Sequence, residues 1–96
     1  MNPIEELAPK VVWRNFYALT QIPRPSGHTE KVAQFLIDFA KQHDAEAWID
    51  EAGNVIMKKG ATLGYEDRET TVLQAHMDMV PQKNSGITHQ FELDAL

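Results

Sequence analysis

The residues best suited to chemistry in this chain are His76 and Asp78, which stand two apart within residues 70–84. A neutral imidazole is a good ligand for zinc and related divalent ions. A metal-bound histidine usually donates its other ring N–H to a carboxylate or a carbonyl, which fixes its tautomer and orientation. Asp78 could therefore orient His76, or it could steer a water on the metal. The same pair also fits a purely structural hydrogen bond at the end of a strand.

The residues before this pair predict a buried strand over about 71–76. Val72, Leu73 and Ala75 would place apolar side chains on both faces of that strand. A short run that is apolar on both sides is typical of a central strand covered by helices. Side chains two apart on a strand point the same way, so both polar groups would face one site at its carboxyl end. Ligands collect at that edge in open α/β sheets.

Two helices and a β-hairpin are predicted to surround this strand. Apolar residues recur at helical spacing over about 9–20 and again over about 28–43, and Ser26 is the predicted N-cap of the second helix. Residues 45–50 and 55–57 predict two strands joined by a glycine-containing turn. The predicted buried stripes are Val12, Trp13, Phe16, Tyr17 and Thr20 in the first helix, and Val32, Phe35, Leu36, Phe39 and Ala40 in the second.

Three further polar residues have a structural interpretation and an alternative functional one. His28 fits a surface position near the start of the second helix, or a titrating group near a substrate cleft. Arg24 fits a solvated loop, or a contact with a peptide carboxylate. His89 stands thirteen residues after His76, a spacing that would allow a second metal ligand.

Composition limits the classes of function that remain. The chain has 96 residues, a hydrophobic share of 43%, a net charge of −5 and no cysteine. One small domain fits that length, and the absence of basic runs argues against nucleic acid or an anionic membrane as partner. Disulfides and thiolate metal sites are excluded. Since neither a signal peptide nor a membrane span is apparent, we expect a soluble cytoplasmic protein.

The longer stretch around His76, LQAHMDMVPQKN, resembles the first metal-ligand segment of the M20 metallopeptidases, and most of all that of the Xaa-His dipeptidases. The resemblance extends from about Leu7 to the last residue and includes PRPSGHTE, the DEAGN turn and THQFELD. It implies an α/β fold of the zinc-peptidase type, with a mostly parallel twisted sheet between helices. Residues 1–96 would be the N-terminal portion of that catalytic domain, without the rest of it and without the lid or dimerisation domain.

The same resemblance implies metal-dependent hydrolysis of dipeptides, preferentially carnosine-like Xaa-His substrates, by the parent enzyme. Two divalent ions, zinc or else manganese or cobalt, would occupy the complete site. His76 would be a ligand to one ion and Asp78 its orienting carboxylate, with a catalytic role. The other ligands and the general base would lie beyond Leu96, so the 96-residue chain alone is expected to be inactive. Short peptides are the expected partners, and the parent protein is expected to form a homodimer.

Two alternatives stay open at this point. Another M20 hydrolase, such as a di- or tripeptidase or an N-acyl amino acid deacylase, would share the His-x-Asp motif. A non-catalytic chain that binds a partner through an exposed sheet edge would explain why the remaining metal ligands are missing.

Overall fold

Five short elements of secondary structure lie in residues 3–95, the part of the chain that the computed structural model describes. They are a 3-10 helix at Pro3–Glu6, α1 at Lys10–Thr20, α2 at Glu30–Gln42, β1 at Glu46–Ile49 and β2 at Val55–Lys58. The described residues divide into two compact units, and the boundary falls within α2. The first unit holds residues 3–32 and 78–95, and the second is Ala33–Met77.

In the first unit, α1 begins at a proline. Pro9 takes the N-cap position, and its carbonyl accepts hydrogen bonds from the N–H groups of Val12 and Trp13 at 3.2 and 3.3 Å. Proline suits a helix start because the N–H that it lacks would have no partner in the helix. The predicted helix over 9–20 is confirmed to within one residue. The 3-10 helix packs against α1.

The apolar stripe of α1 is only partly covered. Thr20 is buried, Trp13 and Tyr17 are half-buried, and Val12 and Phe16 remain 55% and 47% exposed. The prediction of a buried stripe is therefore wrong for Val12 and Phe16. Helical spacing shows which side chains share a face. Among the described residues, burial of that face is most complete at its C-terminal end, where Thr20 lies.

The helix α2 follows its predicted pattern more closely. Val32, Ala33 and Ala40 are buried, while Phe35 and Phe39 are half-buried with their ring centroids 6.3 Å apart. The predicted polar face is exposed at every position: Lys31, Gln34, Asp38, Lys41 and Gln42. The helix begins two residues later than the predicted start and ends one residue earlier than the predicted end.

The predicted β-hairpin is confirmed. Strands β1 and β2 are antiparallel, and their register pairs Trp48 with Ile56 and Ile49 with Val55. The connecting turn places Gly53 at φ +90°, a conformation that glycine adopts without steric cost. The turn therefore needs glycine for its backbone angle, since a Cβ built at this position meets nothing within 4 Å.

The predicted central strand over 71–76 does not form, which corrects the interpretation of that segment. Residues 71–78 have no regular secondary structure, and Val72 and Leu73 are 82% and 91% exposed. A strand needs partners for its backbone N–H and C=O groups, and the sheet among residues 3–95 consists of β1 and β2. The described residues thus show a mixed helix-and-strand fold without a parallel sheet. None of the described helices combines the length and the apolar character needed to cross a membrane.

Candidate active site

Asp78 is held by a contact between two segments that are far apart in sequence. The Ser26 hydroxyl donates a hydrogen bond to Asp78 Oδ2 at 2.5 Å, across 52 positions of the chain. Two backbone hydrogen bonds flank it, from Met79 N–H to the Arg24 carbonyl at 2.8 Å and from Ser26 N–H to the Met79 carbonyl at 3.1 Å. They form an isolated parallel bridge between Pro25 and Met79. We call the two segments, 24–26 and 78–79, the Ser26–Asp78 clamp.

A tight turn sets the direction of the serine in this clamp. The His28 N–H donates to the Pro25 carbonyl at 2.9 Å, and Gly27 between them has φ +85°. A positive φ at the third residue is typical of a type II turn, which favours glycine there. Because α2 begins at Glu30, four residues after Ser26, the prediction that Ser26 caps this helix is wrong. Its hydroxyl bonds Asp78 instead.

The other predicted site residue, His76, lies in the irregular segment 71–78, and its side chain is exposed to solvent. It belongs to the unit Ala33–Met77, whereas Asp78 is half-buried in the other unit. A histidine at the surface is not needed to fill a core. Its position is therefore compatible with the predicted role as a ligand, and that role remains a prediction.

The described residues include side chains of the types that bind divalent ions, but too few of them lie together to complete a metal site. The His76 imidazole suits zinc, whose protein sites use three or four ligands. Among residues 3–95, however, no three or more His, Asp or Glu side chains are grouped so that they could hold a metal ion. The described residues would therefore contribute only part of a metal centre.

A groove of about 400 Å³ opens beside the clamp, within the same unit as Asp78. That volume lies in the range of small-molecule sites. Its walls comprise Pro23, Arg24, Pro25, Met79, Val80, Pro81, Gln82, Lys83, Asn84, Ile87, His89, Phe91 and Asp94. Residues 79–84, which follow Asp78 directly, thus form much of the groove.

The three weaker candidates have structural partners. The Arg24 guanidinium donates to the Leu19 carbonyl, and burial lowers the pKa of Arg24. The His28 Nε2 atom lies 3.2 Å from a carboxylate oxygen of Glu92, and both side chains are exposed. His89 lines the groove and packs edge-on against Phe91, with ring centroids 5.1 Å apart. These contacts account for each side chain without a substrate or a metal.

Comparison with known proteins places this geometry in context. No family model matches the chain. All 96 residues align at 40% identity with the cytosol non-specific dipeptidase of Escherichia coli (strain K12), and they cover 20% of that protein. The crystal structure of aminoacylhistidine dipeptidase from Vibrio alginolyticus matches 98% of the chain at 41% identity with a TM-score of 0.91. The predicted resemblance to the dipeptidases is confirmed.

These dipeptidase relatives are much longer than the chain, which spans about a fifth of their length. A further match covers 61 residues at 39% identity, 64% of this chain and 16% of the relative. That relative is a protein of Pyrobaculum aerophilum with the provisional name LysW-lysine/LysW-ornithine hydrolase. The similarity to hydrolases therefore extends beyond the dipeptidases.

Sequence reasoning missed Ser26 as the hydrogen-bond partner of a predicted site residue, Asp78. The signal was present in the segment PRPSGHTE, where a proline and a glycine flank the serine. Such flanks indicate a turn. The pattern could not indicate that the partner is Asp78, because no local rule relates residues 52 positions apart.

Proposed function

We propose that this chain is part of a metal-dependent dipeptidase that hydrolyses short peptides and prefers dipeptides with a C-terminal histidine. The observation that carries the proposal is the match to an aminoacylhistidine dipeptidase over 98% of the chain, at 41% identity and a TM-score of 0.91. The E. coli relative, whose name describes a non-specific dipeptidase, supports the reaction and suggests that the preference for histidine is not absolute.

In the complete enzyme, His76 would be a ligand to one of two divalent ions, zinc, manganese or cobalt. Such ions activate water and stabilise the developing oxyanion when a peptide bond is hydrolysed. Asp78 would keep the His76 ring in one tautomer, as carboxylates commonly do for metal-bound histidines.

The finer prediction about the fold belongs to this proposal. In the complete protein, residues 71–76 would form the central strand of a mostly parallel twisted sheet. The support is the apolar surface of Val72 and Leu73, which is 82% and 91% exposed in this chain and which neighbouring strands and helices would cover. A cytoplasmic location accords with the word cytosol in the name of the E. coli relative, and homodimer formation stays part of the proposal.

A second candidate is an M20 hydrolase with another substrate, such as a tripeptide or an N-acylated amino acid. The match to the LysW-lysine/LysW-ornithine hydrolase supports this second candidate. A non-catalytic binding role is a third possibility for the 96-residue chain by itself, because the described residues group too few metal ligands.

The test is a substrate panel on the full-length protein that carries this chain, after loading with zinc, manganese or cobalt. Xaa-His dipeptides should be cleaved fastest, ahead of other dipeptides, tripeptides and N-acyl amino acids. The variant His76→Ala should lose activity by roughly a hundredfold or more, because a direct ligand is removed. His43→Ala is the matched control, since His43 is also exposed and packs on Phe39.

A wild-type protein that cleaved no dipeptide would contradict the proposal. Faster cleavage of tripeptides or N-acyl amino acids would favour the second candidate. The 96-residue chain alone should cleave none of these substrates, and measurable turnover by it would refute the view that the missing ligands are essential.

A further inference from the structure

We propose that one face of the β-hairpin is an interaction surface, and that the partner covering it is the remaining part of the longer protein to which this chain belongs. We call it the Trp48–Ile56 face, and it consists of Trp48 and Ile56 with Glu46 and Lys58. The inference rests on the proposed function only where that places this chain in a longer hydrolase. It goes beyond it, because it concerns neither the substrate nor a metal.

The register of the hairpin places these side chains on one side of the sheet. Trp48 is paired with Ile56, and Glu46 with Lys58. Directly paired residues of antiparallel strands point to the same face, and so do residues two apart on one strand. The indole and the isoleucine side chain therefore form an apolar centre, and two residues of opposite charge lie at one end of it.

This apolar centre is exposed although its residue types favour burial. Trp48 is 44% exposed and Ile56 is 38% exposed, whereas Ala47 and Val55 on the opposite face are half-buried. A two-stranded hairpin is only marginally stable in water unless it packs against a helix or further strands. A tryptophan at an apolar centre with charged residues at the rim has the composition of a protein interface.

The small core of the described residues favours the rest of the same protein as the partner. Among residues 3–95, the buried apolar side chains are Val32, Ala33 and Ala40. A domain of this length ordinarily buries a larger core. Permanent interfaces are apolar and resemble a domain core cut in half, whereas transient interfaces are more polar. The exposed tryptophan and isoleucine therefore fit a permanent contact that completes the core.

The structural match gives the source of that contact. The solved dipeptidase shares the fold of this chain with a TM-score of 0.91, and the match covers only 19% of that protein. Most of a full-length protein of this kind thus lies outside the matched segment and can pack on it. A second copy of this chain is a poorer partner, because its net charge of −5 would oppose self-association.

The experiment compares the oxidation of individual side chains by hydroxyl radicals, read by mass spectrometry, in the 96-residue chain and in the full-length protein. Trp48 should be oxidised about fivefold more slowly in the full-length protein, because an interface centre excludes water. Tyr65 is the matched control, since it is an aromatic residue of the same compact unit and is 55% exposed. Its ring already has a local partner, the Arg68 guanidinium 5.5 Å from its centroid, so its oxidation rate should be equal in both.

A substitution provides a second measurement. In the full-length protein, Trp48→Lys should lower the unfolding temperature by several degrees, because it would place an unpaired charge in the contact. Tyr65→Lys should leave that temperature unchanged. If Trp48→Lys does not fold, the oxidation rates of the wild-type proteins still decide the question.

Equal oxidation of Trp48 in the 96-residue chain and the full-length protein would overturn the inference, even if the full-length protein is an active dipeptidase. Oxidation of Trp48 that slows as the concentration of the 96-residue chain rises would also overturn it, because a second copy would then cover the face. Protection of Tyr65 as strong as that of Trp48 would show that the hairpin face is not special. Selective protection of Trp48 would support the inference even if no dipeptide is cleaved, and only the proposed activity would then fail.

Discussion

Asp50 and Asp78 accept hydrogen bonds from donors at very different separations along the sequence. In the hairpin turn, Asp50 Oδ1 accepts from the N–H groups of Ala52 and Asn54 at 3.0 and 2.8 Å, and its Oδ2 accepts from the Asn54 side chain at 3.0 Å. All of these donors lie within four residues. Asp78 instead accepts from Ser26, 52 residues away.

The contrast separates a structural carboxylate from a candidate functional one. Asp50 stabilises the turn in which it lies, and hydrogen bonds from the side chain and backbone of Asn54 lower the pKa of Asp50. Asp78 bonds a residue that its own segment cannot supply, beside a groove, and it follows the exposed His76 by two positions in the sequence. The donors to Asp50 come from its own turn, so this carboxylate stabilises local structure. The Ser26 donor to Asp78 comes from a distant segment, so the fold determines this contact.

The largest expected difference between the two is in catalysis. In the full-length protein, Asp78→Asn should lower kcat/KM by about 10- to 100-fold, because the amide cannot replace the orienting carboxylate. Asp50→Asn should leave kcat/KM nearly unchanged, since the hydrogen bonds that Asp50 accepts all lie within its own turn. Steady-state assays of both variants check this. Equal losses in the two would break the distinction drawn here.

The next effect concerns the backbone of the hairpin turn. Gly53→Ala should lower the free energy of unfolding by roughly 1 to 2 kcal/mol, because φ +90° is unfavourable for a residue with a Cβ. Gly60→Ala is the control, since its Cβ would also meet nothing within 4 Å and its φ is not in the positive region. Denaturant titration measures both. A loss at Gly60 as large as at Gly53 would show that the turn angle is not the cause.

A double-mutant cycle sharpens the comparison at the Ser26–Asp78 clamp. Ser26→Ala, Asp78→Asn and the double variant should give a coupling energy of about 1 kcal/mol for this half-exposed hydrogen bond. Pairing Ser85→Ala with Asp78→Asn should give a value near zero. The measurement is again the free energy of unfolding. No coupling between Ser26 and Asp78 would mean that the hydroxyl does not hold the carboxylate in solution.

The smallest effect is a pH dependence confined to the hairpin turn. Because the folded-state pKa of Asp50 is lowered from its ordinary value of 3.8, its stabilising contribution is present above that value and is lost as the pH falls through the folded pKa. Asn54→Ala should raise the pKa of Asp50 toward the ordinary value, and Asn15→Ala, in an exposed position of α1, should not. Carbon-13 NMR titration of the Asp50 carboxyl distinguishes the two results. An unchanged pKa in Asn54→Ala would remove the proposed cause.

Much of the fold could be predicted because its causes are local. Pro9 starts α1, the polar positions of α2 face water, and Gly53 with its flanking strands makes the hairpin. The central strand over 71–76 could not be confirmed in the same way. Its apolar pattern describes what it would bury, but the partners that would pair with it are not among residues 3–95. The apolar pattern thus predicted that this segment can form a buried strand. It did not predict that residues 71–78 have no regular secondary structure in this chain.

The candidate site shows the same difference between local and long-range causes. The sequence by itself determined that the chain resembles dipeptidases, and it predicts a metal site at His76 and Asp78, because residue type and spacing within one segment are local properties. Only the tertiary structure decided that Ser26 is the partner of Asp78. That pairing depends on a turn at Gly27 and a backbone bridge to Met79, which bring together segments that no periodicity relates.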